Sequence, residues 1–516
     1  MRHFVCIHGH FYQPPRENPW TGVIERQPSA GETHDWNVRI ARECYIPNGR
    51  ARVVNERNEP IAEVNNYSWL NFNFGGTLLS WYEKAYPDEY RRLLEADRES
   101  AERLEGHGNA IAQAYNHMIM PLANVRDQAT QVRWGIADFK HRFGRSPEAL
   151  WLPETACDDV VLRLLIEHGL KYAILAPHQA RRVRRLRAGE KPDLDKEWME
   201  IKDENIDTRH AYRWFDRRPR QQGKIDIFFY NGSLARAVAF EKLMAHSPAA
   251  AQRILSVFDA HLRSAQLVSI ATDGETYGHH EPFADMGLAH LFKYELPKQG
   301  MPVVNFGYYL AKHKPICEVE IQPGLQGFGT SWSCAHGVGR WLEDCVCGAE
   351  NGKHQKWRKP MREALDWLRD RLILVFEQKG SAVLRDVWKA RDGYIQVILN
   401  PDERSTSFFL ARHLRGPCSP QARRKALALL EMQKFAMFMY TSCGWFFAEI
   451  SGLEAMQNLK YAARAMELAR ESGGPDLEPE FLRLLKAAPS NVPEFEDGEG
   501  VYLKLVRPAT ASSARA

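Results

Sequence analysis

Short apolar runs that each end on a polar or acidic residue recur through the first three-fifths of the chain. Phe4-Val5-Cys6-Ile7 leads into His8-Gly9-His10 and predicts a strand over 3–11. Ala149-Leu150-Trp151-Leu152 ends at Pro153-Glu154, and Leu267-Val268-Ser269-Ile270-Ala271 ends at Thr272-Asp273-Gly274-Glu275. Tyr172-Ala173-Ile174-Leu175 and Ile225 to Tyr230 read as further strands. Helical spacing lies between them, over 83–106, from Val125 to Phe143, from Leu234 to Met244 and from Pro248 to Leu262. Ser247 and Pro248 supply a start signal for the last of these. Residues 15–65 are polar and rich in turn formers, and a long loop or excursion is expected there.

Strands that alternate with helices predict an α/β fold with a parallel sheet, open or closed. The pattern changes near residue 315. Glu318-Val319-Glu320-Ile321 is strand-like, and a Gly-, Ser- and Cys-rich stretch follows from Gly324 to Gly348. Amphipathic helices are then expected over 360–379, 383–399, 420–447 and 454–472, and a disordered tail over 507–516. The expected division is a barrel over 1–315, a connecting segment at the rim of the site over 316–354, and a helical domain over 355–506.

At 516 residues the chain is too long for one small core. A formal charge of +4 over that length gives no case for a nucleic-acid partner. Arg181, Arg182, Arg184, Arg185 and Arg187 lack interleaved aromatics and precede Glu190, Asp193, Asp195 and Glu197, so a solvated, self-paired face is expected. His8 breaks the N-terminal apolar run, and no small-residue cleavage site follows, so no signal peptide is expected. No run approaches the length of a membrane helix. Nine cysteines, an odd number and mostly isolated, predict reduced thiols and a cytoplasmic setting.

The chemistry suggested by this pattern is carboxylate chemistry. Acids at the C-terminal ends of two parallel strands converge on one barrel mouth, and a convergent pair is what glycosidic bond cleavage needs. Glu154 and Asp273 are that pair; a helix cap or surface turn is the plainer role for either acid taken singly. His8 and His10 alternate on one strand and share a face. They suit sugar hydroxyls, or, with Asp273, a metal ion of the kind a mannosidase or polysaccharide deacetylase uses.

Four segments, in order, resemble the signature regions of glycoside hydrolase family 57. They are His8-Gly9-His10-Phe11-Tyr12-Gln13-Pro14, Asn116-His117-Met118-Ile119-Met120-Pro121, Trp151-Leu152-Pro153-Glu154 and Thr272-Asp273-Gly274-Glu275-Thr276-Tyr277-Gly278. In the first, Phe11 and Tyr12 interrupt the family's His-x-His-Gln-Pro run. The resemblance covers residues 3 to about 340; beyond that the chain is similar to members with a fused helical domain. It implies an irregular (β/α)7 barrel followed by helices, retaining cleavage, transfer or branching of α-glucans, Glu154 as nucleophile and Asp273 as general acid/base, with no cofactor and no metal. A barrel that binds glucan without turning it over is the non-catalytic alternative.

Substrate contacts are expected from His8, His10, His117, Trp151, Asn231, Arg236, Glu275, Tyr277 and Trp332. Of the aromatics, Trp332 is the preferred stacking platform because it lies in the Gly- and Ser-rich stretch. His279 and His280 are rim candidates. Cys334-Ala335-His336 and Cys345-Val346-Cys347 are the densest thiol cluster. Zinc pairs usually have two or more residues between cysteines, so buried free thiols are expected here.

Overall fold

Strand β1 (His3–Phe11) is buried from Val5 to Phe11 and forms the middle of a three-stranded parallel sheet. The computed structural model describes residues 3–55, 57–187, 191–218, 223–348 and 352–508. Five further parallel strands continue from one side of β1. They are β2 (Asn71–Phe74), β3 (Ala112–Gln113), β4 (Leu150–Trp151), β5 (Tyr172–Leu175) and β6 (Lys224–Phe229). β2 pairs with β1, β3 with β4, and β5 with β6. Single parallel bridges, Phe72 to Ala110 and Ala149 to Tyr172, join these pairs. The seventh strand, β7 (Gln266–Asp273), lies on the other side of β1. The ring closes where Asn231 N, just past β6, donates to Ser269 O of β7 at 2.8 Å. Seven parallel strands, two of them only two residues long, form the irregular (β/α)7 barrel. Because β1 pairs with β7 in register His10–Asp273, both side chains emerge at the C-terminal ends of adjacent strands.

The chain divides into two compact units. The first is Met1–Gln13, Arg26–Gln113 and Phe139–Pro323 and contains the barrel; the second is Pro14–Glu25, Ala114–Asp138 and Gly324–Ala516. The second unit is mainly helical. Helices α1 (Arg358–Gly380), α2 (Pro420–Phe438) and α3 (Leu453–Glu471) pack against one another. Met361, Leu365, Leu368 and Leu372 of α1 recur at helical spacing and are buried. Ala462, Ala465 and Ala469 on α3 are buried and small enough to let a neighbouring helix approach. Ser419 caps α2, and Pro420 follows at its first position.

Several boundaries differ from those read in the sequence. The stretch 15–65 is not a loop throughout. Asp35 accepts from Val38 N and starts a continuous helical segment from Trp36 to Gly49, and Ala51–Val54 then pairs antiparallel with Pro60–Val64. The helix expected over 420–447 stops at Phe438, ahead of the 3-10 turn Ser442–Trp445. Glu403–His413 is a further helix, capped by Asp402. The arginine run is a strand, Ala180–Arg185. It is paired with Cys317–Ile321, so Arg182 meets Glu320 and the buried Arg184 meets Glu318, while Arg187 pairs with Asp193 and Asp195 of the acids that follow. Of the expected tail, Arg507 continues the last helical turn and donates to Glu478 at 2.8 Å, while 509–516 lie outside the described residues. No described helix is long and apolar enough to cross a membrane.

Candidate active site

The strand ends of the first unit gather Glu154, Asp273, His8 and His10. Glu154 follows β4 in a one-turn 3-10 segment, Pro153–Thr155. Its backbone is left-handed (φ 59°), and so is that of Thr155 (φ 49°). That region is unfavourable for any residue with a Cβ and most of all for a β-branched one. Gln179 holds the strained turn in place. Thr155 Oγ donates to Gln179 Oε1 (2.8 Å), Gln179 Nε2 donates to Thr155 O (2.9 Å), and Gln179 Oε1 also accepts from Ala176 N (2.9 Å). A turn strained at the residue bearing the carboxylate and clamped by a buried amide fixes the backbone from which Glu154 projects.

Asp273 ends β7. Gly274 is required next, because a Cβ there would lie 2.3 Å from the Phe11 ring. The Asp273 carboxyl reaches solvent but is closely surrounded by protein. Desolvation lifts its pKa well above the usual carboxylate value, and the charges of Glu154 and Glu275 lift it further. Glu154 therefore acts on Asp273 through space.

Glu275 is buried and accepts from Tyr12 N (3.0 Å) and Tyr45 Oη (2.6 Å). Burial raises its pKa to about 7 against those hydrogen bonds. It anchors the turn to β1 and adds a negative charge behind Asp273.

His8 and His10 project from one face of β1, and both rings stack on Trp151, with centroids 4.6 and 4.9 Å away. His8 Nδ1 lies 2.8 Å from Asn71 Oδ1 and Nε2 lies 3.1 Å from Asn73 Oδ1. Burial lowers the His8 pKa to about 4, outweighing these two amides, so the ring is neutral near pH 7. Asn73 Nδ2 donates to His10 Nδ1 (2.9 Å) and to Gln113 Oε1 (2.8 Å). The ends of β1, β2 and β3 are thus tied by one side-chain network. A neutral His8 carries one N–H, so it donates to one of the two amide oxygens at a time.

The other expected contacts have varied settings. Trp151, 2% exposed and covered by the two histidines, backs the site and offers no free face for a sugar. Tyr277 is fully buried; its hydroxyl accepts from Thr272 Oγ (3.1 Å) and its carbonyl from Asn48 Nδ2 (2.6 Å). Asn231 caps the helix Gly232–Phe240 through Leu234 N (2.9 Å), a role that uses its side-chain oxygen. Arg236 is exposed on that helix. His279 is paired with Glu43, and a cavity of about 560 Å3 beside it, also lined by Arg39, Arg50 and Arg52, includes none of Glu154, Asp273, His8 and His10. His117 and Trp332 are residues of the second unit. His117 is buried with Nδ1 2.6 Å from Ser442 Oγ, and Trp332 is half-buried.

Asn71, Asn73, Tyr45 and Gln179 were not singled out in the sequence. The two asparagines did leave a signal. They alternate with Phe72 and Phe74 in a strand whose four residues are all buried, and a buried polar stripe on a strand needs partners. Tyr45 and Gln179 left none.

Residues 10–321 match the family model described as glycosyl hydrolase family 57, and residues 353–516 match a domain of unknown function, DUF3536. The chain belongs to glycosyl hydrolase family 57. The sequence resemblance is thereby established over most of the barrel unit. Alpha-amylase 1 of Dictyoglomus thermophilum is 25% identical over 107 residues, covering 20% of this chain and 15% of that protein. The chain thus matches well under two thirds of that relative's length. Two solved structures share the family 57 fold. An exo-type maltose-forming amylase from Pyrococcus sp. ST04 superposes with TM-score 0.68 at 14% identity, covering 99% of this chain and 94% of the other. A branching enzyme from Thermococcus kodakaraensis superposes with TM-score 0.54 at 14% identity, covering 99% and 96%.

Proposed function

We propose that this family 57 member is a retaining α-glucan-active glycosidase or glucanotransferase in which Glu154 is the nucleophile and Asp273 the general acid/base. The observation that carries the reading is the electrostatic coupling of the two acids. Burial raises the Asp273 pKa well above the usual carboxylate value, and the negative charge of Glu154 raises it further. A retaining mechanism needs that asymmetry. Protonated Asp273 gives its proton to the glycosidic oxygen while Glu154 Oε attacks the anomeric carbon, and the C–O bond to the leaving sugar breaks. Esterification removes the charge of Glu154, so the Asp273 pKa falls and Asp273 becomes a base. It then takes a proton from water, giving hydrolysis, or from a sugar hydroxyl, giving transfer, and the ester bond to Glu154 breaks.

The α-glucan assignment rests on the family and on relatives named as amylases and a branching enzyme. Neutral His8, through its backing of Trp151 and His10, and His10 itself would orient the sugar. We assign the enzyme to the cytoplasm, where its cysteines would stay reduced.

The test is product analysis on maltooligosaccharides and glycogen with the wild type, Glu154→Ala and Asp273→Ala, each with and without chelator. Chelator-insensitive products with retained anomeric configuration, reduced at least about 100-fold in both variants, are expected. Products longer than the substrate identify transfer. Binding of glucan without turnover by the wild type, or activity abolished by chelator and restored by zinc, would overturn the mechanism.

A further inference from the structure

The second unit contains a cluster that the glycosidase chemistry does not use. Between Gly324 and Trp357 the described chain has little regular structure, only the short 3-10 turns Leu325–Gly327 and Gly339–Trp341. Within this segment one ligand atom from each of Cys334, His336, Cys345 and Cys347 lies within 4.8 Å of all the others. Cys334 Sγ is 3.8 Å from Cys347 Sγ, and Cys347 Sγ is 3.4 Å from His336 Nδ1. Tetrahedral zinc with Zn–S of about 2.3 Å and Zn–N of about 2.0 Å has S–S edges of about 3.8 Å and S–N edges of about 3.5 Å. We propose that Cys334, His336, Cys345 and Cys347 bind one zinc ion as a tetrahedral structural site with three thiolate ligands and one imidazole ligand.

The one-residue spacing that argued against zinc in the sequence is answered by the backbone. Val346 adopts φ 57° and leaves its side chain 65% exposed. A β-branched residue in that region is strained, and burial of its side chain is not what holds it there. The left-handed turn at Val346 instead carries Cys345 and Cys347 to one centre. Gly337 and Gly348, with φ 74° and 68°, turn the chain beside His336 and after Cys347.

The surroundings suit thiolates. Backbone N–H groups of His336 and Arg340 point at Cys334 Sγ, and that of Cys347 points at Cys345 Sγ. These bonds favour the charged sulfur, as expected of outer-shell donors. Three thiolates and one Zn2+ leave a net charge of −1. Arg358, fully buried, places Nη1 3.6 Å from Cys345 Sγ and neutralises it. Arg358 belongs to α1, so the metal would fasten an irregular segment to the start of the main helix of its own unit. Binding would release the remaining thiol protons to solvent.

Metal analysis of the full chain, purified with zinc and without chelator, tests this independently of any glycosidase activity. One zinc per chain is expected, unchanged in Cys418→Ser, an exposed cysteine elsewhere, and lost from Cys334→Ser/Cys347→Ser. Should the double variant fail to fold, the wild type still decides. Chelator should expose three additional thiols to alkylation, and cobalt in place of zinc should give tetrahedral d–d bands with thiolate charge transfer. A zinc-free folded wild type, an octahedral cobalt spectrum, or a Cys334–Cys347 disulfide in the native protein would overturn the proposal.

Discussion

At the scale of single residues, the first unit is organised around acids whose proton affinities depend on one another. Asp273 is lifted by burial, by Glu154 and by Glu275, and Glu275 itself titrates near pH 7. In its proposed role as general acid, Asp273 works only while protonated, so the alkaline limb of the pH–rate profile should follow its pKa. Glu275→Gln keeps an amide oxygen for Tyr12 N and Tyr45 Oη but removes the charge. The Asp273 pKa then falls, and the alkaline limb of kcat/KM moves to lower pH while the fold is kept. A pH–rate profile on a maltooligosaccharide checks this; an unmoved limb would confine Glu275 to anchoring the turn. The same logic applies to Glu154→Gln. It is expected to lower the Asp273 pKa, because one of the charges that raise it is gone, and carbon-detected NMR titration of the labelled carboxyl reads that directly.

At the scale of elements, the strand pattern was legible because barrel strands are buried and apolar up to the polar residues that end them. β1, β5, β6 and β7 were read that way. So were the two acids, since Glu154 and Asp273 each stand where an apolar run stops. Two things were hidden. Capping can start a helix in a polar stretch, and Asp35 did so where the excess of turn formers pointed to a loop. The support of the Glu154 turn was hidden too, because Gln179 lies 24 positions away from the threonine it binds and carries no periodic signal. That support is testable. Gln179→Ala leaves Ala176 N and Thr155 O without their side-chain partner and removes the acceptor of Thr155 Oγ. A loss of about 1–3 kcal/mol in stability is expected for buried groups left unpaired. Relaxation of the left-handed turn should also lower kcat more than it raises KM. Denaturant unfolding and steady-state kinetics separate the two effects. A variant that loses stability but keeps kcat would show that the strain at Glu154 is independent of Gln179.

At the scale of the whole molecule, the second unit is assembled from three separate stretches of sequence, and His117 is one of the residues that join them. Ser442 N donates to His117 O (3.0 Å), Met118 bridges Thr441, and the imidazole Nδ1 meets Ser442 Oγ, 325 positions along the chain. From the sequence His117 stood between a sugar contact and a satisfied core histidine; it is buried and paired with Ser442. Burial lowers its pKa from 6.5 to about 3. The folded state therefore binds its proton less readily than the unfolded state does. The stability that follows from this is fully present above about pH 6.5 and is lost as the pH falls toward 3. His8, lowered to about 4, acts in the same direction, whereas Glu275, raised to about 7, contributes stability at low pH that disappears as the pH rises. The wild-type pH–stability curve sums these opposing terms, so the informative quantity is a difference between proteins. His117→Asn suits the left-handed backbone there (φ 60°) and removes the titration. Between pH 7 and pH 5 the variant should lose about 2 kcal/mol less stability than the wild type, whatever its stability at pH 7. Urea unfolding at the two pH values measures this. Equal losses would mean that His117 is hydrated or charged in the folded protein, and that the junction of 114–138 with 324–516 is looser than its hydrogen bonds indicate.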